Sequence, residues 1–283
     1  MWIFYTSLMF LASNVMYLLI RLAQKQNIPI SFYSVALFLI PSIIYFFTTQ
    51  LTDTSLLLAP SHLLLVITAA FFWSYLGNFF SQKAILLAPN PGYSLILQKS
   101  YVVFTTIAAI FLFEAEFNWQ KFVAILSILF FAMLISISGK GLKSKNYKWV
   151  YLSLLTNLCL TFGSLISKHF LNIGLEPFVY LFYINFFVAT LNFFDFKRQK
   201  ISLNLSKWQI VLVILIGIFS MIFNYSMQLA YKGSPNIGYV SAVNVSSIMS
   251  VTLFSALFFK DDLSKIKIAG IFGVLVSLFF LVV

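Results

Sequence analysis

Ser74, Asn78 and Gln82 stand four residues apart inside an apolar stretch, and Ser220, Asn224 and Gln228 repeat the trio 146 positions later. On a helix this spacing stripes one face. Unpaired amides do not face hydrocarbon cheaply. Two chemistries therefore compete: ties between helices, worth about 0.6 kcal/mol each, or the lining of a solvated cavity that binds a solute. The symmetric stripe favours the cavity. Gln98 belongs to the same set, because its repeat partner is Asn244. Asn14, Asn157 and Asn185 are single polar positions in other apolar stretches, read first as ties and second as solute contacts. Trp73, Tyr75 and Tyr101 supply candidate apolar walls.

Lys99 completes the candidates. It lies about 12–14 Å along a helix from the Pro89–Pro91 turn, at 1.5 Å per residue. Its repeat partner is Val245, so the duplicated scaffold does not require a cation there. An ionisable group inside the membrane is a functional-site hypothesis by default, against the simpler reading of a lysine that snorkels to the interface. A functional ammonium would meet a carboxylate or phosphate of a solute, or lose its proton during coupling.

Other chemistries lack their residues. No Gly-x-x-x-x-Gly-Lys-[Ser/Thr] loop is present to cradle phosphate. Glu114, Glu116, Asp261 and Asp262 cluster where helices should end, so they read as solvated charge. Cys159 is the single cysteine, and His62 and His169 lack ligand spacing. No catalytic residue, metal or cofactor is expected.

The elements that must carry the stripe follow from composition. The chain is 61% hydrophobic and 9% charged, with a mean hydropathy of +0.97. Soluble domains carry roughly 25% charge, so lipid must be the solvent here. The apolar runs are continuous and about twenty residues long, the length of a spanning helix and not of an alternating barrel strand. Ten spans are predicted, at 2–21, 31–50, 63–87, 92–113, 119–138, 149–168, 177–195, 207–231, 236–259 and 264–282. The fold class is thus an all-α polytopic membrane protein. The first segment starts without a basic region or cleavage site and reads as a retained helix.

Between 74–129 and 220–275, fourteen of 56 aligned positions are identical without a gap. Trp2, Arg21 and Tyr33 also meet Trp149, Lys168 and Tyr180 at an offset of 147. The glycine- and lysine-rich segment 139–148 separates the copies, giving repeats of five helices at 1–138 and 149–283. Five is odd, so the second copy must enter the membrane upside down, and the repeats are inverted. The turns Pro89-Asn90-Pro91-Gly92-Tyr93 and Pro235-Asn236-Ile237-Gly238-Tyr239 read as tight reversals, with Asn as cap and Pro as breaker.

These turns, together with Ile110-Phe111-Leu112-Phe113-Glu114 and Leu257-Phe258-Phe259-Lys260-Asp261 in a ten-helix duplicated frame, resemble the EamA-type members of the drug/metabolite transporter superfamily. The resemblance covers essentially the whole chain. It implies a basket in which the first four helices of each half line a central cavity. The fifth and tenth helices would sit at the periphery, where Gly270 and Gly273 fit a close contact. Alternating access for a small polar or amphipathic solute, an amino acid or related metabolite, is the implied activity. A lipid flippase or membrane-embedded enzyme is the alternative.

Net charge is +11, but the cations sit in short loops and not in a nucleic-acid surface. Fourteen Lys and Arg fall on the face of loops 1–2, 3–4, 5–6, 7–8 and 9–10, against three on the other. By the positive-inside rule both termini face outward, the reverse of the orientation expected of many relatives. The expected setting is the bacterial inner membrane, with lipid and a small molecule as partners, no nucleic acid, and a monomer or homodimer.

Overall fold

In the computed structural model the described residues are 1–88, 91–136, 147–201, 204–259 and 263–283. Pro89, Asn90, most of the basic linker, Asp261 and Asp262 therefore lie outside the described residues. The apolar stretches form ten helices long and apolar enough to cross a membrane. They are α1 (Trp2–Lys25), α2 (Ile30–Leu51), α3 (Pro60–Leu87), α4 (Tyr93–Phe113) and α5 (Trp119–Ser136). The second half continues with α6 (Lys148–Asn172), α7 (Pro177–Arg198), α8 (Lys207–Gly233), α9 (Ile237–Phe259) and α10 (Lys265–Val282).

Local chemistry sets the ends. Prolines open α3 and α7, where a missing N–H costs nothing. Ser206 and Gln209 form a reciprocal capping box on α8. Asn236 Oδ1 accepts from the Gly238 amide at 2.8 Å and caps α9, as its place in the second turn predicts.

The interior is built from four long pairings: α1 on α8, α3 on α6, α2 on α7 and α5 on α10. Exchanging each helix for the one five places along maps this set onto itself. The α5–α10 pair is the tightest. A Cβ on Gly273 would lie 2.2 Å from the Phe131 ring, and one on Gly270 would lie 2.7 Å from Ile135. These glycines thus brace the two helices within one chain. The outer faces carry Phe111 and Phe258, exposed as lipid contact requires.

Two helices depart from the uniform spans that the sequence predicts. In α3, Ala69–Tyr75 is π-helical, a wider turn common at functional positions. In α4, a turn at Ser100 separates Pro91–Lys99 from Tyr101–Phe113. Ser100 Oγ donates to the Leu97 carbonyl at 2.8 Å, and Asn157 of α6 donates to that same carbonyl at 3.0 Å and to Ser100 Oγ at 2.8 Å. A side chain inserted into the ladder is a recognised cause of a kink. Ser246, the repeat partner of Ser100, makes the same back-bond in an unbroken α9. The residues aligned with Asn157 in α1 are apolar, so only α4 is broken.

Candidate functional site

The sequence candidates separate into three groups. The first consists of satisfied ties. Gln98 accepts from Ser81 Oγ at 2.7 Å and donates to Ser94 Oγ at 2.9 Å, and Ser94 in turn meets Ser153 at 2.8 Å. This chain of contacts joins α3, α4 and α6. Gln228 accepts from Ser167 at 2.6 Å, joining α8 to α6. Asn185 and Asn224 each donate to a carbonyl one turn back, Leu181 and Ser220. Trp73 stacks beside Phe162 of α6. Asn157 holds the α4 break. Asn157→Leu should therefore remove both hydrogen bonds that tie α6 to the break and cost about 1–3 kcal/mol. A clearly lowered melting temperature in detergent is the expected reading; an unchanged one would remove the tie.

The second group is buried and unsatisfied. Among the described residues, Asn14 Oδ1 on α1, Thr105 Oγ1 on α4 and Asn244 Oδ1 on α9 have no hydrogen-bond partner, although each residue is 7% exposed or less. The Tyr101 hydroxyl faces Asn244, Ser241, Tyr231 and Tyr17. Tyr231 Oη shares a 2.9 Å hydrogen bond with Ser241 Oγ. Helix α9, which carries Asn244 and Ser241, packs on both α1, which carries Asn14, and α4, which carries Thr105 and Tyr101. Buried polar atoms are normally paired, so orphaned ones call for a water or a ligand. Thr105, Ser241 and Tyr231 carried no paired-amide signal in the sequence.

The third group is open. Asn78 and Gln82 are exposed, whereas their repeat partners Asn224 and Gln228 are half-buried and buried. The cause lies in how α3 packs. Helix α7 covers its Pro60–Thr68 and Ala69–Tyr75 segments, while Leu76–Leu87 leans on α6 and α4. Gly77 permits that approach, since a Cβ there would stand 3.0 Å from Cys159 Cβ. Helix α7 ends at Arg198, three residues past Asp195, so Leu76–Leu87 runs on without it and the amide stripe there is left uncovered. Tyr75 stands at its head and donates to the Asp195 carboxylate of α7.

Lys99 is half-buried and is the last residue before the α4 break. Among the described residues it makes no hydrogen bond or ion pair.

The opposite end of the molecule is sealed. The Glu116 amide donates to the Pro235 carbonyl at 3.1 Å. Asn236 Nδ2 donates to the Thr106 and Glu116 carbonyls at 3.3 and 3.1 Å, and the Tyr239 hydroxyl donates to the Glu116 carbonyl at 3.2 Å. Gly238 lies so close to Thr106 that an added Cβ would sit 1.9 Å from Oγ1. Lys168 Nζ caps the end of α8 through the Tyr231 carbonyl at 2.8 Å, beside a polar cavity of about 170 Å³. Among the described residues, Thr106 is buried but its repeat partner Thr252 is only half-buried, and Tyr93 packs toward Trp149 at 6.5 Å.

This geometry agrees with what the chain is similar to. No curated protein matches it in sequence. A crystal structure of a protein with 14% identity superposes over 99% of this chain and 98% of its own, with a TM-score of 0.82, which shows a shared fold. Residues 147–283 match the EamA-like transporter family. Residues 147–283 are thus similar to the EamA-like transporters, a family of small-molecule transporters, and the ten long apolar helices fit a protein that spans a membrane.

Proposed function

We propose that the protein is a secondary transporter that moves a small polar or amphipathic organic solute, an amino acid or related metabolite, by alternating access of inverted repeats 1–138 and 149–283. One observation carries the reading. Two polar stripes of the same sequence origin stand in different states, Asn78 and Gln82 open and Asn224 and Gln228 closed, at opposite ends of the helices. Inverted repeats that exchange such states form a transport cycle. The Lys and Arg bias puts the open end in the cytoplasm and both termini outside. Asn14, Thr105, Asn244, Tyr101 and Lys99 supply the central contacts, and the remaining amides hold the helices around them.

An apolar groove of about 300 Å³ between Val15, Leu18, Leu19, Leu22 and Phe258 suits an acyl chain. Its lining presents no polar group to a lipid headgroup, so the stripe, and not the groove, supports the solute reading over a flippase.

Single cysteines at 78 and 224, on a Cys159→Ala background, test the reading. In whole cells an impermeant thiol reagent should label position 78 only after permeabilisation. A solute found by thermal shift, which reports ligands specific to the native state, should alter the labelling of 78 and 224 in opposite senses. Labelling of both positions from one side, unchanged by any stabilising solute, would overturn alternating access.

A further inference from the structure

Among the described residues, Asp195 is the one carboxylate that lies within a membrane span. Nothing in the duplicated scaffold demands it, for its repeat partner is Thr48 and that of Tyr75 is Met221. The carboxylate is half-buried and accepts from the Tyr75 hydroxyl through Oδ2. Tyr75, Asn78 and Gln82 fall at i, i+3 and i+7, so they share one face of α3. Beyond the Tyr75–Asp195 bridge α7 ends at Arg198, and the two amides on the continuing α3 are exposed. Earlier on α3 the Phe71 ring stacks on Tyr75 with centroids 6.1 Å apart.

Resting on the transporter reading, we propose that this polar face at the end of α7 recognises a protonated amine, with Asp195 as its anionic anchor and the Asn78 and Gln82 amide oxygens as further acceptors. A carboxylate with one hydroxyl donor retains lone pairs for more. An ammonium supplies three donors and the opposite charge. The aromatic faces add cation–π attraction. The neighbouring cations leave the carboxylate available. Lys83 on α3 lies over the Phe79 ring at 4.2 Å, and Lys197 on α7 lies over Phe193 at 5.0 Å. Arg198 lies near Tyr75 and, among the described residues, forms no ion pair with Asp195. Tyr33 at the start of α2 is engaged by Gln24 at 3.3 Å. The site complements Lys99, which suits the anionic end of a solute, and so narrows the substrate class to molecules bearing an amine.

Benzylammonium, benzyl alcohol and benzoate are matched in size and differ in charge. Purified protein should gain melting temperature with benzylammonium before the other two, and an Asn78→Cys variant on the Cys159→Ala background should be protected from a thiol reagent by the same probe. Asp195→Asn should weaken benzylammonium about tenfold, a modest value for one charge pair, and leave benzyl alcohol unchanged. Tyr75→Phe should keep benzylammonium within about threefold, because the anchor remains. Equal benzylammonium affinity in Asp195→Asn, or a preference for benzoate, overturns the proposal. Failure of the thiol introduced by Asn78→Cys to react with the reagent at all sinks the open-stripe geometry of the transport reading, while the melting shift still decides whether Asp195 binds the amine.

Discussion

Gly238→Ala should abolish transport by forcing the outer seal apart. The new methyl would stand 1.9 Å from Thr106 Oγ1, 2.7 Å from its Cβ and 2.8 Å from its Cα. Rotating one hydroxyl relieves only the first of these clashes, so α9 must retreat from α4. Overpacking of this kind costs about 1–3 kcal/mol, and that cost falls on the sealed state alone. Gly238 stands in the first turn of α9, where Ala is tolerated and gains at most about 1 kcal/mol, the helix-interior value. The protein should therefore fold and shift toward the alternative state. A cysteine at 224 should label at least tenfold faster, and a cysteine at 78 should label more slowly. Gly163→Ala is the control, because its Cβ would meet Trp73 at an ordinary 3.7 Å. Unchanged labelling at both positions in Gly238→Ala would show that the contact is not a gate.

Lys99→Met should keep the fold and lose transport. The ammonium is half-buried beside the α4 break and has no partner among the described residues, so its removal costs no hydrogen bond. Met fills similar space and relieves the desolvation of a charge. Melting temperature should hold or rise, whereas uptake into proteoliposomes of a solute identified by thermal shift should fall more than tenfold. Lys99→Arg should rescue only in part, since a planar guanidinium does not present a compact ammonium. A snorkelling lysine predicts near-silence in both variants. Wild-type uptake by Lys99→Met would leave the amides and Asp195 to carry recognition.

The contrast between Lys99 and Gln98 shows where sequence reading stops. Both were legible as polar groups in apolar helices, and the same offset of 146 marked Gln98 as part of the scaffold and Lys99 as an addition. Which of them retains unused hydrogen-bonding capacity depends on what faces them across a helix interface. Ser81 and Ser94 saturate Gln98, and among the described residues nothing saturates Lys99.

Length and hydropathy by themselves determined the ten helices, because a bilayer leaves an apolar run of about twenty residues few other ways to satisfy its backbone. Internal identity determined the duplication, because paired polar residues at one offset do not arise from composition. Asn236 was legible as a cap for a similar reason: capping is local. The α4 break was not legible, for it needs Asn157 to arrive from another helix 57 residues away and compete for the Leu97 carbonyl. Nor was the inequality of the two stripes, since Asn78 and Asn224 are the same residue in the same pattern. Only the packing, α7 covering two segments of α3 and leaving the third, exposes one amide and shields the other. Asp195 shows the same limit: in the sequence it is an acid three residues from a basic helix end, and the fold alone brings it to Tyr75.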